Sequence, residues 1–371
     1  MREIREILKE VSALADGEKA VMATVVDLKG SGYRLPGARM LIRANGDATG
    51  TVSGGCLEAD VLERAKRVLE TDEAEVFVYD TTADENSVFS LNMGCRGVLR
   101  ILLEPVSDDS EIISLLHEVN ENRKPLAAAT LIDANGDADL MVGSRVVADE
   151  ANVGEITDLH SLLKNIPQLR DDLLTFSGSP SSYETIRYET ENGTAEFAFE
   201  TLQPPVQLLI FGAGADAVPV AKAANDLGWN VRIYDHRPAF LTEERFAMAD
   251  ELVLLERDTN PEIAADDRTA IVSMNHNYDR DKEMLGVALR SNAFYIGALG
   301  PKKRTRQIMD ELGNPFTEEQ LSRLRTPAGL DIGGDTPEAV AISIIAEIQS
   351  VLKHRNGGPL RDRQASIYDR K

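Results

Sequence analysis

Residues 206–237 read VQLLIFGAGADAVPVAKAANDLGWNVRIYDHR, and this stretch constrains the fold more than any other. An apolar run is followed by a turn containing Gly212 and Gly214, then by a helical pattern that opens near Ala217. A second apolar run ends at Asp235, 23 residues after Gly212. Strand, glycine turn and helix in this order predict a parallel βαβ unit whose helix N-terminus can face an anion. Gly212 permits the tight turn, Gly214 opens the backbone to a phosphate, and Ala217 keeps helix and strand close. Asp235 is placed to accept hydrogen bonds from ribose hydroxyls, which favours NAD over NADP, while Arg237 nearby weakens that preference.

The texture continues downstream. ELVLLE, AIVSMN and AFYIGAL are short runs apolar on both faces, as in a parallel sheet covered by helices on each side. A closing helix is capped at Asp335 or Thr336 with Pro337 in its first turn. Residues 201–355 therefore read as a doubly wound, Rossmann-like domain, followed by a polar tail at 356–371. Two further strand ends carry chemistry. One delivers His276, with Asp281 after it, as acid/base candidates. The other delivers Gly297 and Gly300, followed by the basic cluster Lys302, Lys303 and Arg304.

Before the Gln203-Pro204-Pro205 linker, strands and helices mix without regular alternation. Residues 1–105 read as an α+β domain, and 106–200 as an α+β segment that could belong to it. The fold class expected is thus α/β, with an N-terminal α+β domain ahead of a doubly wound parallel sheet. Asn45-Gly46 marks a hairpin turn. TVSGGCLEAD makes a two-glycine turn, Gly54-Gly55, with Cys56 in the first turn of a helix over 56–70, where the helix N-terminus would favour a thiolate. Cys95, in LNMGCRGVL, is flanked by glycines just before a strand. Either thiol could equally be a small buried hydrophobe.

The chain has 40 basic and 62 acidic side chains, a net charge of −22. Such a surface repels nucleic acid and anionic membranes, and any anionic ligand must be held by local positive potential. Two cysteines make neither a disulfide framework nor a zinc cluster, which points to a reducing cytoplasm. The charged N-terminus does not read as a signal peptide, and no apolar run reaches membrane-span length.

ATVVDLKGSGYRLPGARMLI, GTVSGGCLEADVL and the glycine-flanked Cys95 resemble the N-terminal domain of the XdhC/CoxI family. The glycine turn with its flanking strands, the His276/Asp281 spacing, YIGALG and TPAGLDIGGDTPEAVAISIIAEI resemble its C-terminal domain. The chain departs from the family pattern at Arg96, Asn277 and Pro301.

The resemblance implies an accessory protein that binds molybdenum cofactor, assists its sulfuration and inserts it into a xanthine dehydrogenase or related molybdenum hydroxylase. A sulfur-donating desulfurase and a homodimer are further implied partners. On this reading Gly212, Gly214, Ala217, Asp235, Arg237, Gly297 and Gly300 line the cofactor site. Gly54, Gly55, Cys56 and Cys95 add to it, with Cys95 as the thiolate nearest the molybdenum. The competing expectation is an NAD-dependent oxidoreductase using His276.

Overall fold

The computed structural model describes residues 2–80, 97–136, 140–148, 153–154, 160–179, 182–256, 263–313 and 315–364. Cys95 and Arg96 lie outside the described residues. The chain forms two compact units, one from Glu3 to Pro204 and one from Pro205 onward. No helix among the described residues is long and apolar enough to cross a membrane.

The first unit runs α1 (Arg2–Ser12), β1 (Ala20–Gly30), β2 (Arg39–Arg43), β3 (Ala48–Gly50), α2 (Glu58–Thr71), β4 (Glu75–Asp80) and β5 (Gly97–Val106). It continues through α3 (Glu111–Asn122), β6 (Leu126–Asn135), β7 (Arg145–Ala148), β8 (Val153–Gly154), α4 (His160–Asn165), α5 (Gln168–Ser177), β9 (Tyr183–Glu189) and β10 (Thr194–Leu202). The strands form two five-stranded antiparallel sheets, ordered β3-β2-β1-β5-β4 and β8-β7-β6-β10-β9. Strand alternation decides what each face meets. Val21, Ala23, Ile101 and Leu103 pack under α2, and Ala129, Leu131, Phe197 and Phe199 pack under α5.

The opposite faces of the two sheets meet each other, and this layer is charged as well as apolar. Val26 and Leu102 touch Ile132 and Ala198. Around them Arg39 pairs with Glu200, Arg145 with Glu104, and Arg100 with both Glu196 and Asp27. A bulge between Val25 and Asp27 places Asp27 opposite Arg100. Hydrogen bonds from Arg100 and Arg187 outweigh burial and hold the Glu196 carboxyl down at about 2.

The second unit contains β11 (Gln207–Phe211), α6 (Ala217–Asp226), β12 (Asn230–Asp235), β13 (Glu251–Leu254), β14 (Thr269–Ser273), α7 (Tyr278–Arg290) and β15 (Tyr295–Ala298). It closes with α8 (Lys302–Glu311), α9 (Glu318–Ser322), β16 (Leu324–Arg325) and α10 (Pro337–Leu352). All six strands are parallel, in the order β13-β12-β11-β14-β15-β16. α6 and α10 cover one face around Trp229 and Ile344, and α7 and α8 cover the other around Leu285 and Ile308. The expected fold class is therefore the observed one.

Local structure departs from the simple sequence pattern in four places. The helix placed over 56–70 begins at Glu58, so Cys56 precedes it. In the apolar stretch LMVGSRVVA the strand begins at Arg145, because Gly143, at φ 92°, turns the chain before it. HSLLKNIPQLRDDLLTF forms two helices, α4 and α5, separated at Pro167, which has no N–H to continue the ladder. YETIRYE is an unanticipated edge strand in which Tyr188 is buried and Glu184, Arg187 and Glu189 are exposed.

Candidate functional site

In the second unit the strand order reverses between β11 and β14, and open α/β sheets bind ligands in the crevice beyond such a reversal. Gly212 closes the turn after β11 at φ 116°. Its N–H donates to the Tyr234 carbonyl at 2.8 Å, and a Cβ there would lie 2.4 Å from the Met274 carbonyl oxygen. Gly212 therefore lets the ends of β12, β11 and β14 close on one another. Ala217 is fully buried under them at the first position of α6.

Gly214 lies at the mouth of the turn, and the space above it is occupied. The Oδ1 of Asp216 sits 2.4 Å from where a Gly214 Cβ would be. Asp216 holds the N-cap position of α6, yet its side chain makes no capping hydrogen bond. It turns outward instead, and His276 Nε2 donates to its Oδ2 at 2.7 Å. His276 reaches across from the end of β14 with φ 55°, an uncommon conformation for a residue with a Cβ. The sequence pattern singles out His276 and misses Asp216, whose signal is an acidic residue in the last variable position of the glycine motif.

Asp235 does not present a free acceptor for a ribose. It is 1% exposed. Its Oδ2 accepts from the Ala213 N–H and from Arg237, both at 2.7 Å, and its Oδ1 accepts from the Arg237 N–H and Nε. Burial would raise its pKa, but the bonds from Arg237 and Ala213 outweigh this and lower it. Asp235 thus fastens the end of β12 to the glycine turn through Ala213, while Arg237 clamps its carboxylate and lies over the Phe240 ring, 4.2 Å from its centroid.

Asp281 is likewise engaged. Its Oδ1 accepts from Ser273 Oγ at 2.8 Å and from Asn275, and its Oδ2 accepts from Arg304. At 5% exposure it ties β14 to α7 and α8 and stands back from the crevice. Gly297 faces Tyr295 and Ala328, where any Cβ would collide, so it serves the packing of β15. Gly300, at φ 111°, makes the turn into α8. With Arg304 drawn to Asp281, Lys302 and Lys303 stand exposed at the start of α8.

The glycine–cysteine turn of the first unit is built around one carboxylate. Six donors converge on Glu58: Thr51 Oγ1, Ser53 Oγ and the N–H groups of Ser53, Gly54, Gly55 and Leu57. Gly54 and Gly55, at φ 80° and 111°, give the backbone the left-handed turns that aim these groups inward. The amides expected to favour a Cys56 thiolate are thus bound to Glu58, and Cys56 is a free, exposed cysteine beside them. A Cβ on Gly54 would strike the ring of Tyr33, so the loop after β1 lies against this turn. Gly97, two residues after Cys95, abuts the main chain of Lys29 and Ser31 at the start of the same loop.

Burial raises the Glu58 pKa, but bonds from Ser53 and Thr51 prevail and bring it down to about 2. A carboxyl depressed from the ordinary ~4.3 contributes stability that is complete above that pH and fades on acidification toward 2. Glu58→Ala strands these donors and is expected to cost about 2–3 kcal/mol at pH 7. Amide exchange at Gly54, Gly55 and Leu57 should quicken in the variant. Unchanged protection would show that the carboxylate does not hold the turn.

Residues 208–348 match the family profile described as the XdhC Rossmann domain, and residues 13–80 match that of the XdhC and CoxI family. Over 341 residues the chain is 28% identical to a Bacillus subtilis protein named as a probable xanthine dehydrogenase subunit, spanning 90% of this chain and 94% of that one. It is 24% identical to the Escherichia coli molybdenum cofactor insertion chaperone PaoD, spanning 95% of this chain and 89% of the relative. A crystal structure of a Bacillus halodurans protein described as a xanthine dehydrogenase matches with a TM-score of 0.73 and 26% identity, over 99% of this chain and 98% of that one.

Proposed function

This chain belongs to the XdhC and CoxI family, and from that premise we propose that it is a cytoplasmic accessory protein carrying molybdenum cofactor as cargo. The cargo is held in the crevice beyond β11 and β14 and passed to a molybdenum hydroxylase of the xanthine dehydrogenase type. Sulfuration of the cargo, with a desulfurase as donor, belongs to the same proposal. The observation that carries it is the state of Asp235. The crevice has the dinucleotide strand order, but the acid that would hold a ribose is buried and fully engaged by Ala213 and Arg237. This supports a ligand other than NAD. His276, Asp216, Gly214, Gly300, Lys302 and Lys303 are the groups offered to it.

The thiols of Cys56 and Cys95 are proposed as soft ligands toward molybdenum or its sulfur. The test mixes purified protein with molybdenum cofactor and measures molybdenum and pterin retained after gel filtration. Wild-type protein is expected to retain both and to show no nicotinamide-dependent turnover. Cys95→Ser should lower retained molybdenum by about tenfold, the scale on which a metal site responds to loss of one supporting group, and Cys56→Ser by less. Full retention by the double variant would remove the thiols from the reading. Retention of NAD instead of pterin would overturn the function.

A further inference from the structure

We propose that Asp216 determines the specificity of this crevice, its carboxylate binding the 2-amino-4-oxopyrimidine edge of the pterin while the phosphate end lies on Lys302 and Lys303. The inference rests on the proposed function and specifies how the cargo is oriented. An aspartate at an N-cap ordinarily accepts an N–H of its own helix. Asp216 makes no such bond. His276 holds one oxygen, and the other rests over Gly214, accepting no hydrogen bond among the described residues.

A phosphate on the Gly214 amide, as in a dinucleotide complex, would press against this carboxylate and be repelled by it. A ligand edge with two adjacent N–H donors suits it instead, because a carboxylate accepts such a pair side by side. The pterin ring offers that pair in its N3–H and 2-amino group. The phosphate then needs positive potential elsewhere on a chain of net charge −22. Lys302 and Lys303 are exposed at the start of α8 and have no ion-pair partner among the described residues, while the neighbouring Arg304 is bound to Asp281. β15, which leads into α8, lies two strands from β11, about 10 Å at the usual spacing. A tricyclic pterin with a phosphomethyl arm bridges such a gap.

Guanine carries the same edge, so the experiment includes it. Full-length protein is titrated with 6-hydroxymethylpterin monophosphate, its 2-oxo analogue, phosphate-free 6-hydroxymethylpterin and GMP. The wild type is expected to prefer the pterin phosphate over the 2-oxo analogue, a comparison that needs no mutation. Asp216→Asn should weaken the pterin phosphate by about tenfold or more, the worth of a hydrogen-bonded charged group, and abolish that preference. Lys302→Glu with Lys303→Glu should weaken the phosphate ester and leave the phosphate-free pterin unchanged. Trp229 fluorescence verifies that each variant is folded. Unchanged or tighter binding by Asp216→Asn overturns the inference, since a carboxylate that merely repels a phosphate at Gly214 gives that sign. GMP binding in place of the pterin, lost in Asp216→Asn, overturns the proposed function and sustains the edge contact. Binding of none of the probes overturns both.

Discussion

Arg100→Ala is expected to destabilise the first unit by about 3–5 kcal/mol at pH 7, because it strands buried carboxylates between two sheets. Arg100 donates to both oxygens of Glu196 at 2.8 Å and to Asp27 at 3.0 Å. Those side chains are only 10% and 8% exposed, so water cannot replace the guanidinium. The pH dependence follows from Glu196, whose folded pKa of about 2 lies below the ordinary ~4.3. Its contribution is complete above that ordinary value and disappears as the pH falls toward 2. The variant keeps only the largely exposed Arg187 to hold the carboxylate ionised, so it loses less over the same interval. The stability gap should therefore narrow on acidification. Amide exchange of β5 and β10 at neutral and acid pH measures it, and a gap that is constant with pH would contradict the assignment.

This charged layer shows what sequence pattern conveys and what it hides. Arg100 and Glu104 stand on one face of β5, and Glu196 and Glu200 on one face of β10, all visible as charges interrupting apolar strands. Alternation shows that they share a face, but not that the two faces meet, because that depends on packing between strands nearly one hundred residues apart. The same limit applies in the second unit. The glycine turn, its helix and the apolar runs were legible, since each is a local signal with a steric cause. The strand order was not, because the runs carry no record of which neighbours they pair with.

Asp235 occupies the expected strand end, and Arg237 two residues on is visible in the sequence as a competitor. Only the structure shows the arginine winning, with both carboxylate oxygens turned inward. Glu58 is silent in the sequence because its donors belong to a turn whose geometry emerges only once Gly54 and Gly55 adopt positive φ.

Gly212→Ala is expected to cost the second unit about 3–5 kcal/mol, strain and overpacking acting together. The backbone at φ 116° is one that side chains rarely adopt, and the new methyl would lie 2.4 Å from Met274 O and 2.9 Å from Asn275 Cα. Both are main-chain atoms of the adjoining strand end, so neither can rotate away. The protein contains one tryptophan, Trp229, which is 1% exposed in the core of this unit. Its fluorescence during urea unfolding reports the unit directly, and the midpoint should fall by about 2 M at the slope usual for this size. Gly214→Ala provides the contrast. Its φ is not positive, and the atom that a methyl would strike is the far end of the Asp216 side chain, which can move. That variant should unfold close to the wild type and yet displace the carboxylate from the crevice, weakening pterin phosphate as Asp216→Asn does. If Gly212→Ala proved as stable as Gly214→Ala, Gly212 would not be the point where the three strand ends close on one another.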